Sequence, residues 1–381
     1  MARHLNHSIC ANSARRGRRI APTVVESLEG RRLLAATTSS VAIDSVDVNA
    51  DGVADAVFKT TSIYNSQGKL LSAVQDADVD ADGVVDTRQT VVNKYDSRGN
   101  LVTSVSEADF GADGTVDFRV TDRATYDSRG NQLTSTTDAD FDGDGTVDQR
   151  VFRVATYNRR DDLVAFMRSV DFGADGVVDF RDAGMNFYDG KGNVTRILYV
   201  QDQDADGVLD LRTTRVNTYD AQGRWLGYTF EQDAGADGTV DARSSQVNTL
   251  DALGNLVSFR WQGDFDADGT PDEFETASFT YDSERRLLSS VVSHDFDADG
   301  VVDAVVSDEY RYDGAGNVVH HVGQTDFDAD GVADIVIVND NTYDAKGRVL
   351  TQRGAVDFNG DGTFDVIDTI VTTYSNRRPP A

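Results

Sequence analysis

The sequence predicts an all-β protein: eleven antiparallel hairpin repeats of 31 residues, laid out as an elongated or spiral meander. Three observations predict it. A glycine after an acidic cluster recurs as Gly52, Gly83, Gly114, Gly145, Gly176, Gly207, Gly238, Gly269, Gly300, Gly331 and Gly362, each step 31 residues without insertion or deletion. A tyrosine keeps the same step from Tyr64 to Tyr374 and is replaced only once, by Leu250. The segments between these landmarks, such as 86–95 and 101–108, are rich in Val and Thr, lack Pro and show no sustained helical periodicity.

Composition sets limits before any element is placed. The chain has 381 residues, a formal net charge of −29 and a sequence pI near 4.3. Nucleic acid and anionic membranes would be repelled, so neither is expected as the main partner. No apolar run of about 18 residues exists, so no transmembrane segment is expected. The single cysteine, Cys10, excludes an intramolecular disulfide. Hydrophobic content of 39% is thin for a chain that must fill a core. The charge also divides. Residues 1–40 carry seven arginines against Glu26 and Glu29, a net of +5, which leaves −34 for 41–381. The first segment reads as a disordered basic targeting segment and the second as the repeat array.

Each unit reads as strand, turn, strand and acidic loop. Asp follows this phased position in eight repeats, and Gly stands four residues after it in eight, as in Tyr95-Asp-Ser-Arg-Gly-Asn-Leu-Val102. That spacing suits a type I turn followed by a left-handed residue. The tyrosines are expected to form a ladder packing hairpin on hairpin. Residues 37–46 read as a lone second strand and 366–374 as a lone first strand. Eleven hairpins are then closed by acidic loops and joined by ten Tyr-Asp turns, about 22 strands in all.

The acidic loop carries the chemistry. Position 1 is Asp47, Asp78, Asp109, Asp140, Asp171, Asp202, Asp233, Asp264, Asp295, Asp326 and Asp357. Position 5 is Asp51, Asp82, Asp113, Asp144, Asp175, Asp206, Asp237, Asp268, Asp299, Asp330 and Asp361. Position 9 is Asp55, Asp86, Asp117, Asp148, Asp179, Asp210, Asp241, Asp272, Asp303, Asp334 and Asp365. Position 3 is Asp80, Asp142, Asp204, Asp266, Asp297 and Asp328, with Asn49 and Asn359 at the two ends and Gly111, Gly173 and Gly235 between. Position 6 is always Gly. Hard oxygen ligands at alternating positions around a tight glycine turn are what Ca2+ coordination needs. Solubility would ask for charge but not for register, and carboxylates this close repel unless a cation sits among them. Magnesium fits such a flexible cage less well, and zinc would ask for His or Cys, which the loops lack. The loops with glycine at position 3 are expected to be the weakest.

The D-x-D-x-D-G-x-x-D loop, as in Asp326 to Asp334, resembles the calcium loop of integrin-type FG-GAP repeats and is similar to thrombospondin type 3 and dockerin loops. It departs from the EF-hand, whose bidentate Glu at position 12 is Phe58, Gln89, Val120, Val151 and Thr213 in five repeats. The Tyr-Asp-x-x-Gly-Asn half resembles the YD (RHS) repeats, which implies hairpins spiralling into a sheet. Val25-Glu-Ser-Leu-Glu-Gly-Arg-Arg-Leu-Leu-Ala-Ala36 resembles the LExRxLL segment of bacterial surface and secreted proteins, which implies export.

The remaining chemistry-bearing residues have plainer roles. Arg88, Arg119, Arg150, Arg181, Arg212 and Arg243 share position 11 and are each expected to pair with a nearby Asp. The five histidines, His4, His7, His294, His320 and His321, show no nucleophile or metal-hydrolase spacing, and His320 and His321 point to opposite faces of a regular strand. No enzyme is expected. The expected function is structural or adhesive: an extracellular or cell-surface calcium-binding array, stiffened by about one Ca2+ per repeat, whose partners are calcium and other surface or matrix proteins or glycans. The alternative is a β-propeller-like module that binds a protein or glycan ligand, hinted at by the alternation Asp80, Gly111, Asp142, Gly173, Asp204, Gly235.

Overall fold

Val- and Thr-rich segments that alternate with tight turns pair first with their nearest neighbours, because the loop to be closed is short. The computed structural model describes residues 37–46 and 54–371. Its strands begin β1 (Thr37–Val46), β2 (Ala56–Asn65), β3 (Leu70–Asp78) and β4 (Thr87–Tyr95), and continue to β21 (Val349–Asp357) and β22 (Val366–Val371). Each pairs antiparallel with the strand before it and the strand after it. Among the described residues no strand touches any but its sequence neighbours, and β1 does not meet β22. The result is one open, elongated sheet. Its 21 strand-to-strand steps of about 4.8 Å give a contour of about 100 Å across the strands. The propeller-like alternative is overturned, since blades need a break in the ladder after every fourth strand and this ladder has none.

Two kinds of junction alternate. Across a Tyr-Asp turn the ladder is long, as between β4 and β5 (Leu101–Phe110), where it runs from Thr87↔Phe110 to Tyr95↔Leu101 with a bulge between Lys94 and Tyr95. From β3 onward the ladder across an acidic loop is shorter, from Thr103↔Arg123 to Ala108↔Phe118 for β5 against β6 (Phe118–Tyr126). The turn has the expected chemistry. Asp96 Oδ1 accepts the N–H groups of Arg98 and Asn100 at 2.9 Å, and Gly99 takes the left-handed conformation at φ 88°. In two turns a side chain is forced into that region instead, Asp161 and Arg285, both at φ 67°.

The tyrosine ladder holds as well. Tyr95 Oη donates to the Leu70 carbonyl at 2.9 Å, and the same bond joins Tyr126 to Leu101, Tyr188 to Leu163 and Tyr312 to Leu287. In several repeats an Asn two residues earlier donates to the same carbonyl, as Asn217 does beside Tyr219 on Val194. Each bond closes the open end of an acidic-loop hairpin and so ties one 31-residue repeat to the one before.

With no second layer, little apolar surface is buried. The buried apolar residues are Ala77, Ala108, Ala139, Ala155, Ala277, Ala304 and Ala355 with Val170 and Trp261. Small side chains dominate because nothing packs over the sheet to bury larger ones. The hydrophobic effect therefore contributes little here, as the composition implied.

Candidate metal centres

The described acidic loops lie on one edge of the sheet, joining β3 to β4, β5 to β6 and so on, with the Tyr-Asp turns on the opposite edge. Successive loops are two strands apart, about 10 Å. Asp47, Asn49 and Asp51 lie outside the described residues, whereas Asp55 lies within them.

Position 1 is the last residue of a strand or its neighbour, and this places it inside. Asp109, Asp140, Asp171, Asp202, Asp233, Asp264, Asp295, Asp326 and Asp357 are all buried, whereas Asp78 is half-buried. Their Oδ2 accepts the N–H of the position-6 glycine, at 2.9 Å from Gly83 to Asp78 and 2.8 Å from Gly331 to Asp326. Oδ1 turns toward the loop interior. In Asp78, Asp109, Asp171 and Asp295 it accepts the position-5 N–H at a long 3.1 Å. In Asp202, Asp233, Asp264 and Asp326 it is buried and meets no donor at all. A buried carboxylate oxygen without a partner is costly. Four loops repeat the same unsatisfied oxygen at the same atom.

The other carboxylates assemble around it. Position 3 accepts the position-5 N–H, as Asp204 does from Asp206 at 3.2 Å, and position 5 accepts the position-7 N–H, as Asp206 does from Val208 at 2.7 Å. Position 9 reaches back to the position-2 N–H, Asp272 Oδ2 taking Phe265 N at 2.6 Å, and so clasps the loop shut. One oxygen of each group is thereby held while the other stays available. Oxygens of Asp78, Asp80 and Asp86 lie within 4.8 Å of one another, as do those of Asp140, Asp142 and Asp148 and of Asp264, Asp266 and Asp272; Asp202, Asp204 and Asp206, and Asp295, Asp297 and Asp299, converge likewise. The position-3 aspartate belongs to every one of these sets. In the last described loop Asn359 takes its place, its Oδ1 accepting from Asp361 at 3.1 Å.

Backbone donors also fix the charge state. The N–H and hydroxyl of Thr115, Thr146 and Thr239 hold Asp113, Asp144 and Asp237 below the usual carboxylate range. Burial works against ionisation of Asp357, yet the N–H groups of Asn359, Gly362, Gly360 and Asp361 outweigh it and lower its pKa. An ionised, partly organised oxygen cage of this kind could hold a metal ion.

Three features escaped the sequence reading. Position 4 is left-handed in every described loop, from Ala81 at φ 55° to Ala329 at 52°, with Gly143 at 70° and Gly360 at 64°. The signal was present, since position 4 is always Ala or Gly. Glycine at position 3 does more than drop a carboxylate: Gly111, Gly173 and Gly235 have φ of 143°, 93° and 83°. Gly173 N and Gly235 N donate at 2.5 Å to the Asp148 and Asp210 carbonyls of the preceding loop. These loops follow a different path, so their lost ligand is not restored by a side chain alone. The position-11 arginines also divide. Arg88 pairs with Asp76 and Arg150 with Asp138, as expected, but Arg119 pairs with Glu107. Arg181 pairs with Asp202 at 3.6 Å and also reaches the position-4 carbonyl of the next loop, Ala205, at 2.8 Å, while Arg243 reaches that of Ala267 at 3.0 Å.

The histidines take structural partners on opposite faces, His320 with Asp340 at 2.7 Å and His321 with Asp308 at 2.8 Å. No helix of the described residues is long and apolar enough to cross a membrane.

No family model matches the chain, and no curated protein does. Among solved structures it is similar to TcdB2-TccC3 without its hypervariable C-terminal region, at 11% identity and a TM-score of 0.19, over 83% of this chain and 22% of that one. A porin-like protein from Bacteroides uniformis matches at 13% identity and a TM-score of 0.28, over 68% of this chain and 95% of that one. The Photorhabdus luminescens Tc holotoxin pore matches at 11% identity and 0.13, again over 83% and 22%. Superpositions this loose carry no argument about this chain.

Proposed function

We propose that this chain is a secreted or cell-surface structural repeat protein whose single-layer sheet is folded and stiffened by calcium, about one ion per acidic loop, and serves adhesion rather than catalysis. The observation that carries this reading is the buried, unpartnered Oδ1 of Asp202, Asp233, Asp264 and Asp326, in a sheet whose buried apolar residues are mostly alanines. Where packing contributes so little, metal binding becomes folding free energy. Eleven ions would also bring the formal charge from −29 to about −7 and relieve the repulsion along the loop edge. Loops of this kind bind calcium at about 10⁻⁴ to 10⁻³ M when they belong to extracellular modules, so the array would be loose inside a cell and rigid outside. The basic segment before the array supports export.

Circular dichroism and solution scattering on the full chain test the proposal. Chelator should erase the β signal and expand the chain, and millimolar calcium should restore both. A spectrum and radius indifferent to chelator would refute it.

A further inference from the structure

The single sheet has two free margins. β1 pairs on one side with β2 and β22 on one side with β21, and among the described residues no strand meets the outer side of either. A bare strand edge presents a row of unpaired N–H and C=O groups to any further strand. Both strands lack the usual devices that blunt such an edge. β1 is ten residues long, and neither it nor β22 contains Pro, Gly, Lys or Arg; each carries one charge, Asp44 and Asp368. The ladder of β1 on β2 has no bulge. Large apolar side chains stand in water at both margins, Ile43 at 52% and Ile367 at 43% exposed.

The two margins are of opposite kind. Within the array an even-numbered strand leads into a Tyr-Asp turn and an odd-numbered one follows it, as β4 and β5 do. The sheet runs from an odd strand to an even one. β22 of one copy set beside β1 of another therefore repeats the junction of β4 with β5, without the connecting turn. The 31-residue phase puts Val366 in the place of Thr87 and Val46 in that of Ala108. Copying the β4–β5 register then sets Val371 opposite Ile43, Ile370 opposite Asp44 and Asp368 opposite Val46. The two aspartates do not meet, and β-branched residues face each other across the seam, which favours cross-strand pairing. The donors are also aimed correctly. Asp96 N bonds across its junction to the Asn100 carbonyl at 2.9 Å, so strand alternation directs the N–H of Thr90 the same way, and that of Thr369 in its place on β22.

We propose that the outer edge of β22 pairs with the outer edge of β1 of a second copy of this chain, so that copies join head to tail into one continuous ribbon. The contact is heterologous: every assembly keeps one free β1 edge and one free β22 edge, and growth does not stop at a dimer. Both copies are acidic, so salt screening favours the seam. The inference goes beyond the calcium reading, because the pairing groups are backbone edges rather than loop carboxylates.

The test is sedimentation velocity of the full chain at rising concentration, in salt and millimolar calcium. Dimer, trimer and longer species should appear in turn, and electron microscopy should show ribbons that lengthen in steps of about 100 Å, one contour of 22 strands. Ile43→Lys/Val371→Lys sets like charges opposite each other in this register and should weaken association at least tenfold. Ile43→Lys/Val371→Glu should restore it, and circular dichroism should read the parent's β signal in both variants. Should a lysine at Ile43 unseat β1, Thr369→Pro removes one outward donor, leaves the ladder on β21 in place, and should weaken association severalfold. A chain that stays monomeric at every concentration or stops at a dimer would overturn the proposal. So would a Lys/Glu variant that associates no better than the Lys/Lys one, or Thr369→Pro associating as the parent does.

Discussion

Replacing Asp264 by Asn should strengthen its loop without calcium and weaken it with calcium. In the metal-free loop, Oδ2 of Asp264 takes the Gly269 N–H at 3.1 Å, while Oδ1 is buried, unpartnered and close to Asp266 and Asp272. An amide keeps an oxygen for Gly269, removes the charge and turns N–H donors toward the two carboxylates. An unsatisfied buried polar atom costs about 1–3 kcal/mol, so the metal-free variant should gain about 1–2 kcal/mol locally. With calcium the sign reverses. Loss of a charged ligand that weakens affinity tenfold removes about 1.4 kcal/mol. Trp261 reports on this loop, because it is 8% exposed and packs against Phe265 at position 2. The only other tryptophan is Trp225, so Trp225→Phe leaves a single fluorophore. Urea titrations of that fluorescence, in chelator and in millimolar calcium, read both signs. A lower midpoint in chelator, or an unchanged calcium increment, would refute the cation account of the orphaned oxygen.

Arg285→Gly should stabilise its turn by about 1 kcal/mol, because Arg285 sits at φ 67° where most repeats use glycine; a lower thermal midpoint would contradict this. Tyr126→Phe should cost more than Tyr219→Phe, within about 0.5–1.5 kcal/mol for a lost hydrogen bond, since Asn217 still serves the Val194 carbonyl; equal losses in urea denaturation would count against the ladder. The turn aspartates should also set an acid limit. Hydrogen bonds from the Asn131 side chain and N–H lower Asp127 to about 2, and those from Arg348 lower Asp344 to about 2. Their depressed values make the turns' contribution present above about pH 4 and lost as pH falls toward 2. Carboxyl NMR titration checks this, and midpoints near 4 at Asp127 and Asp344 would show that the turn bonds do not form in solution.

Much of this protein is contained in 31 residues. Hairpin pairing, the Asp-x-x-Gly turn and the spacing of loop carboxylates are local, so one unit of sequence specifies each of them and repetition specifies the rest. The strand count, the hairpin order, a tyrosine ladder and the grouping of aspartates within each acidic loop were all legible in this way. What lies between units was not. Whether a sheet face finds a second layer depends on the balance of apolar surface against chain entropy over the whole array, and with alanine at most buried apolar positions the sheet stayed single, which excluded the propeller. Burial of Asp264 but not Asp266, the left-handed Gly173 bonded to Asp148 and the reach of Arg181 to Ala205 likewise depend on how one loop rests on the next. Those contacts join residues about 24 or more positions apart through hydrogen bonds and excluded volume, for which one repeat carries no periodic signature; only the stacked structure brings them within range.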